Sequence, residues 1–140
     1  MKALYTIEAL ATGEGRNGHV VSSDGLLDTE VRIPVELGGA GGAPNPEMLF
    51  AAGYAACFNS ALQTVARTEK RALKSSNIGA RVSIGSNGQG GFQLAVELVV
   101  AIPGLPHDQA VRLAEAAHQV CPYSNATRGN IEVQLTVVED

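Results

Sequence analysis

A chain of 140 residues, 45% of them apolar, is long enough to bury one hydrophobic core and short for two ordinary domains, so one domain over residues 1–140 is expected. Aromatic residues make up only 4%, tryptophan is absent and the net charge is -4, all of which argues against a stacking platform or a basic surface for nucleic acid. The longest apolar run, residues 48–58, falls well short of the ~20 residues of a membrane span, and Thr6 and Glu8 interrupt the only apolar stretch at the N-terminus. The expectation is a cytoplasmic protein without a membrane partner. There, two cysteines are more often thiols, redox groups or metal ligands than a structural staple.

In chain order, residues 4–11 roughly alternate and predict a strand, which the glycine-rich stretch 13–18 then punctuates. Residues 19–22 fit a second strand before a turn at Asp24-Gly25. Residues 28–35 (DTEVRIPV) alternate again, and Pro34 places this third strand near an end or edge. The stretch 38–44 (GGAGGAP) holds no regular element. Asn45-Pro46-Glu47 then combines a capping residue, a proline suited to the first helical position and an acid in the first turn, which predicts a helix over about 46–70. Its first half, MLFAAGYAACF, is apolar all round; such a helix is enclosed on every side, and in a chain this short a partner subunit is expected to cover one face. Residues 78–84 and 92–102 predict a hairpin around the glycine-rich 85–91. Residues 106–120 predict a second helix with Ala110, Leu113, Ala114 and Ala117 inward, and Pro122 interrupts it directly after Cys121. Residues 131–138 alternate as a last strand. Two groups of three strands with intervening helices read as α+β with a mostly antiparallel sheet.

Several motifs invite a chemical reading. Gly13, Gly15 and Gly18 spell G-x-G-x-x-G after a strand, but strand-like residues follow where a dinucleotide site needs a helix, so a flexible loop is the expectation. His118 and Cys121 lie three apart and suit a metal shared with Cys57, yet His19 and His107 add no supporting spacing, so no metal is expected. Cys57 lies inside the apolar helix, where a free cysteine usually behaves as a small hydrophobe. Mid-helix it gains nothing from the helix dipole, so a thiolate there needs a cation from elsewhere; Arg16, in the Gly15-Arg16-Asn17-Gly18 loop, is a candidate. Cys121, directly before Pro122, is placed to cap a short turn over 122–126. On residue types alone both cysteines remain open as nucleophile, with Cys121 slightly ahead.

The segments PNPEMLFAAGYAACF (44–58) and VCPYSNATRGN (120–130), together with Gly15-Arg16-Asn17-Gly18, closely resemble the organic hydroperoxide resistance proteins of the OsmC/Ohr family, and the likeness covers nearly the whole chain. The resemblance implies an α+β fold in which the sheets of two chains wrap around paired central helices as an intertwined homodimer. It implies a peroxidase in which Cys57 attacks an organic hydroperoxide, Cys121 resolves it as a disulfide, and Arg16 and Glu47 complete the site. No bound cofactor is implied; dihydrolipoamide or a lipoylated protein is the electron donor. Phe50, Tyr54 and Phe58 are expected to favour a substrate with a hydrocarbon tail. Ten residues of helix, at 1.5 Å each, separate Glu47 from Cys57 by about 15 Å, so Glu47 serves Cys57 across the dimer or through the length of Arg16. The alternatives are a non-enzymatic redox-sensing dimer and a peroxidase of the osmotically inducible branch.

Overall fold

The computed structural model describes residues 1–139, and its contacts divide the chain into two compact units, Met1–Leu49 and Phe50–Asp140.

The first unit is built on an antiparallel three-stranded sheet in the order β1 (Ala9–Glu14), β2 (Asn17–Ser22), β3 (Asp28–Val31). Strand β1 lies later than the alternation at 4–11 predicted. The glycines that suggested its end are part of the pairing: Gly13 sits opposite Gly18 and Glu14 opposite Asn17, leaving Gly15-Arg16 as a two-residue turn. Each glycine has a reason. Gly15 takes φ +69 at the first turn position, and a Cβ on Gly18 would lie 2.1 Å from the Thr12 carbonyl oxygen. The G-x-G-x-x-G pattern is thus a tight hairpin rather than a nucleotide loop, and its tip is Arg16. Strand β3 stops at Val31, four residues short of the prediction, and a single 3-10 turn, Val35–Leu37, follows Pro34. The asparagine cap is present: Oδ1 of Asn45 accepts the Met48 N–H at 2.8 Å, opening helix α1 (Pro46–Thr68).

The second unit holds the core. Strands β4 (Asn77–Ser86) and β5 (Phe92–Ala101) form the expected hairpin, and β6 (Val133–Val138) joins the other edge of β5 in parallel. The parallel pairing follows from the long connection through helices α2 (His107–Val120) and α3 (Pro122–Thr127), which returns the chain in the same direction. Three of the four strand pairings in the two sheets are antiparallel, as the α+β reading expected. Helix α2 buries Ala110, Leu113, Ala114 and Ala117, the predicted stripe, against a cluster containing Leu62, Val96, Leu98 and Val100. Helix α1 contributes Tyr54, Phe58, Ala61, Leu62 and Ala66, spaced by three or four residues as one face requires. Within the single chain its opposite face, Met48, Ala52, Ala56, Ser60 and Thr64, each four residues apart, is exposed. Among the described residues no helix is long and apolar enough to cross a membrane.

Candidate active site

Each unit carries one of the two pairs singled out in the sequence. In the first, the hairpin tip presents Arg16 to Glu47 in the first turn of α1. The guanidinium donates through Nη1 to Oε2 at 2.8 Å and through Nη2 to Oε1 at 2.6 Å, a planar two-point pair. The Glu47 side chain is 13% exposed and that of Arg16 is 38%. Each partner favours the other's charged form: the Arg16 hydrogen bond holds the Glu47 carboxyl below its usual range, and Glu47 raises the guanidinium.

In the second, the thiols of Cys57 and Cys121 lie 3.7 Å apart, a contact between free thiols rather than a bond. The two differ in access. Cys121 is 0% exposed in the core, whereas Cys57 is only partly buried. Burial pushes the Cys57 thiol up, the neighbouring Cys121 adds to that, and the backbone N–H of Tyr123 works against both by donating toward the sulfur. Cys121 occupies the cap position of α3 without a side-chain cap bond, while Tyr123, in the first turn of that helix, turns its N–H to Cys57.

A family model for OsmC-like proteins matches residues 39–136. The chain belongs to the OsmC-like family. It is 54% identical over 138 residues to an organic hydroperoxide resistance protein of Xanthomonas axonopodis pv. citri (strain 306), covering 97% of this chain and 96% of that one. The crystal structure of an organic hydroperoxide resistance protein from Elizabethkingia anophelis is similar with a TM-score of 0.95 at 58% identity, over 100% of both chains. That of a Legionella pneumophila organic hydroperoxide resistance protein gives 0.94 at 53%, over 97% of this chain and 98% of the other.

In this OsmC-like chain the three aromatic residues expected to line a substrate site part company. Phe50 borders an open cavity of about 730 Å³, together with Phe92, Leu94, Pro122, Tyr123 and Ile131. Tyr54 and Phe58 are 0% exposed and belong to the core. Tyr123, which sequence reasoning passed over, joins cavity and thiol: its ring forms one wall and its N–H faces Cys57. That ring lies on α1 over Gly53, where a Cβ would come 2.7 Å from the Tyr123 hydroxyl, and it packs on Phe50 and Tyr54 at centroid distances of 6.0 and 5.5 Å. A glycine inside an otherwise alanine-rich helix was the available signal, since it costs helix stability and marks a close approach. His118, weighed in the sequence as a metal ligand, has a partner on α3. Its Nδ1 lies 2.7 Å from the Ser124 hydroxyl, and burial, with Arg128 nearby, holds the imidazole below its usual range.

Proposed function

We propose that this protein is a cysteine-based peroxidase that reduces organic hydroperoxides. The observation that carries the reading is the pair of thiols 3.7 Å apart, of which the one in α1 is partly open and the other sealed. Access supports the roles that the family resemblance implies, with Cys57 as the attacking sulfur and Cys121 as the resolving one. The family relationship and the hydroperoxide named in its relatives supply the substrate class.

The Cys57 thiolate attacks the terminal oxygen of ROOH. The O–O bond breaks, ROH leaves with a proton, and Cys57 becomes a sulfenic acid. The Cys121 sulfur then attacks the Cys57 sulfur, water departs, and a disulfide remains. A dihydrolipoyl group, as the free amide or on a lipoylated protein, reduces it by exchange and is itself oxidised to the cyclic disulfide. Burial alone disfavours the thiolate that this sequence of steps needs, so a cation is required beside the Tyr123 N–H. The family resemblance assigns that role, and the stabilisation of charge developing on the peroxide, to Arg16, whose guanidinium Glu47 holds through two hydrogen bonds. The functional unit is an intertwined homodimer. Exposed Leu4, Tyr5, Leu10, Leu26 and Val35, with the open stripe of α1, give it the apolar surface that a second chain covers. The Phe50 cavity takes the hydrocarbon portion of the substrate.

Turnover of an alkyl hydroperoxide with dihydrolipoamide or thioredoxin as donor tests the reading. Dihydrolipoamide should sustain it and thioredoxin should not. Cys57→Ser should abolish peroxide consumption, while Cys121→Ser should react once and stop. Single-turnover consumption by Cys57→Ser would reverse the roles, and no thiol loss in the parent protein would leave a non-enzymatic redox pair.

A further inference from the structure

Four polar side chains have no part in the chemistry above: the hydroxyls of Tyr54, Ser124 and Thr127 and the imidazole of His118. Ser124 and Thr127 are 0% and 5% exposed, beside a core of alanine and aliphatic residues. Buried hydroxyls are costly unless each is bonded. Here they are bonded in series. Thr127 Oγ1 lies 3.2 Å from Tyr54 Oη, Tyr54 Oη lies 2.8 Å from Ser124 Oγ, and Ser124 Oγ lies 2.7 Å from His118 Nδ1.

The position of this series relative to the thiols is its informative feature. Tyr54 precedes Cys57 by three residues on α1. His118 precedes Cys121 by three at the end of α2, and Ser124 follows it by three on α3. One oxygen atom, Ser124 Oγ, thus ties together the three helices that carry or flank the two sulfurs. Cys121 itself is the single extended residue between α2 and α3, with φ -62 and ψ 123, so the direction of its sulfur follows from how those helices meet. Arg128 adds a second tie from α3 to α2, donating to the His118 carbonyl oxygen.

We propose that Ser124 is a positioning residue for disulfide formation: by bonding Tyr54 and His118 at once it holds the Cys121 corner where its sulfur reaches Cys57. The inference rests on the cysteine-pair reading given above. In the step concerned, an S–S bond forms as the Cys57 S–O bond breaks, and the hydroxide leaves with the Cys121 proton as water. The sulfurs close from 3.7 Å to about 2 Å, a short movement that needs little more than side-chain adjustment while the corner is held. Without the tie the corner is free to rotate, and the effective concentration of one thiol at the other falls.

The test compares the parent protein with Ser124→Ala by equilibration in glutathione buffers, which gives the effective concentration of the pair without any hydroperoxide. Ser124→Ala should lower it at least ~10-fold. With stoichiometric alkyl hydroperoxide the same variant should lose the Cys57 thiol at the parent rate, yet accumulate a sulfenic acid trapped by dimedone. Tyr54→Phe, which removes the other hydroxyl and keeps the ring, should shift the glutathione equilibrium in the same direction and answers the question if Ser124→Ala does not fold. An effective concentration within about twofold of the parent in the folded variants overturns the inference, even if they melt at a lower temperature. A parent protein that forms the disulfide with glutathione but no sulfenic acid with hydroperoxide overturns the peroxidase reading instead, and the glutathione comparison still decides the role of Ser124.

Discussion

Replacing Gly53 by alanine sets two effects of opposite sign against each other. In an ordinary helix interior, Gly→Ala stabilises by about 0.8–1.0 kcal/mol. At this position the new Cβ would stand 2.7 Å from the Tyr123 hydroxyl, 3.3 Å from Cζ and 3.4 Å from Cε2. An ordinary carbon–oxygen contact is about 3.3 Å or longer, so the ring must withdraw by roughly 0.6 Å. Overpacking of this kind costs ~1–3 kcal/mol, giving a net destabilisation of about 0–2 kcal/mol. The low end is favoured because Tyr123 is 37% exposed and has solvent to move into. Reactivity reads a different part of the residue: the ring can withdraw by rotating about its side-chain bonds, which leaves the backbone N–H of Tyr123 in place beside the Cys57 sulfur. Urea unfolding should therefore give stability equal to or slightly below the parent, while alkylation of Cys57 at fixed pH should stay within about threefold of the parent rate. A variant stabilised by about 1 kcal/mol would show that Tyr123 does not lie on Gly53 in solution.

Substrate choice and pH dependence supply two further checks. Bulky or fatty hydroperoxides should exceed hydrogen peroxide by at least ~10-fold in catalytic efficiency, because the Phe50 cavity rewards an apolar tail, and equal efficiencies would remove the cavity from the reaction. The imidazole of His118 is lowered by burial and by Arg128, so the unfolded chain binds its proton first; the stability from keeping it neutral is complete above about 6.5 and is lost as pH falls through the folded value. His19, raised by the hydrogen bonds it donates to Glu30 and Asp28, runs the opposite way, its contribution being complete below about 6.5 and lost as pH rises through the folded value. In urea midpoints measured against pH, His118→Phe should reduce the fall on the acid side and His19→Gln should steepen it, and identical profiles for the two variants would contradict these environments.

The helices were legible in the sequence because their ends are written locally: Asn45-Pro46-Glu47 opens α1, and the stripe of Ala110, Leu113, Ala114 and Ala117 gives the inward face of α2. The strands were legible as segments but less so in their limits. Alternation at 4–11 does not distinguish a paired strand from an extended approach to one, and Gly13 looked like an ending because its role depends on Gly18 across the hairpin. The parallel seat of β6 depends on the path of α2 and α3, which no local pattern encodes. At the candidate site, cap chemistry marked the start of α3, where Cys121 sits without a side-chain cap bond. Which thiol an N–H faces is a tertiary fact, as is the burial that separates Tyr54 and Phe58 from Phe50. The hydroxyl series shares that character: Tyr54 and Ser124 are 70 residues apart, and neither has a neighbour in sequence that announces the other.

The hairpin between β1 and β2 leaves no slack at its tip. Only Gly15-Arg16 lie between the paired residues Glu14 and Asn17, and the backbones at Gly13 and Gly18 approach too closely to admit a side chain. A loop of this kind tolerates substitution at its outward positions far better than a change of length. Adding one residue would shift one strand against the other, and since side chains alternate between faces, every residue of the displaced strand would exchange inside for outside. Arg16 would then leave Glu47 without either residue having been altered. Spacing is as much a part of this arginine's chemistry as its charge.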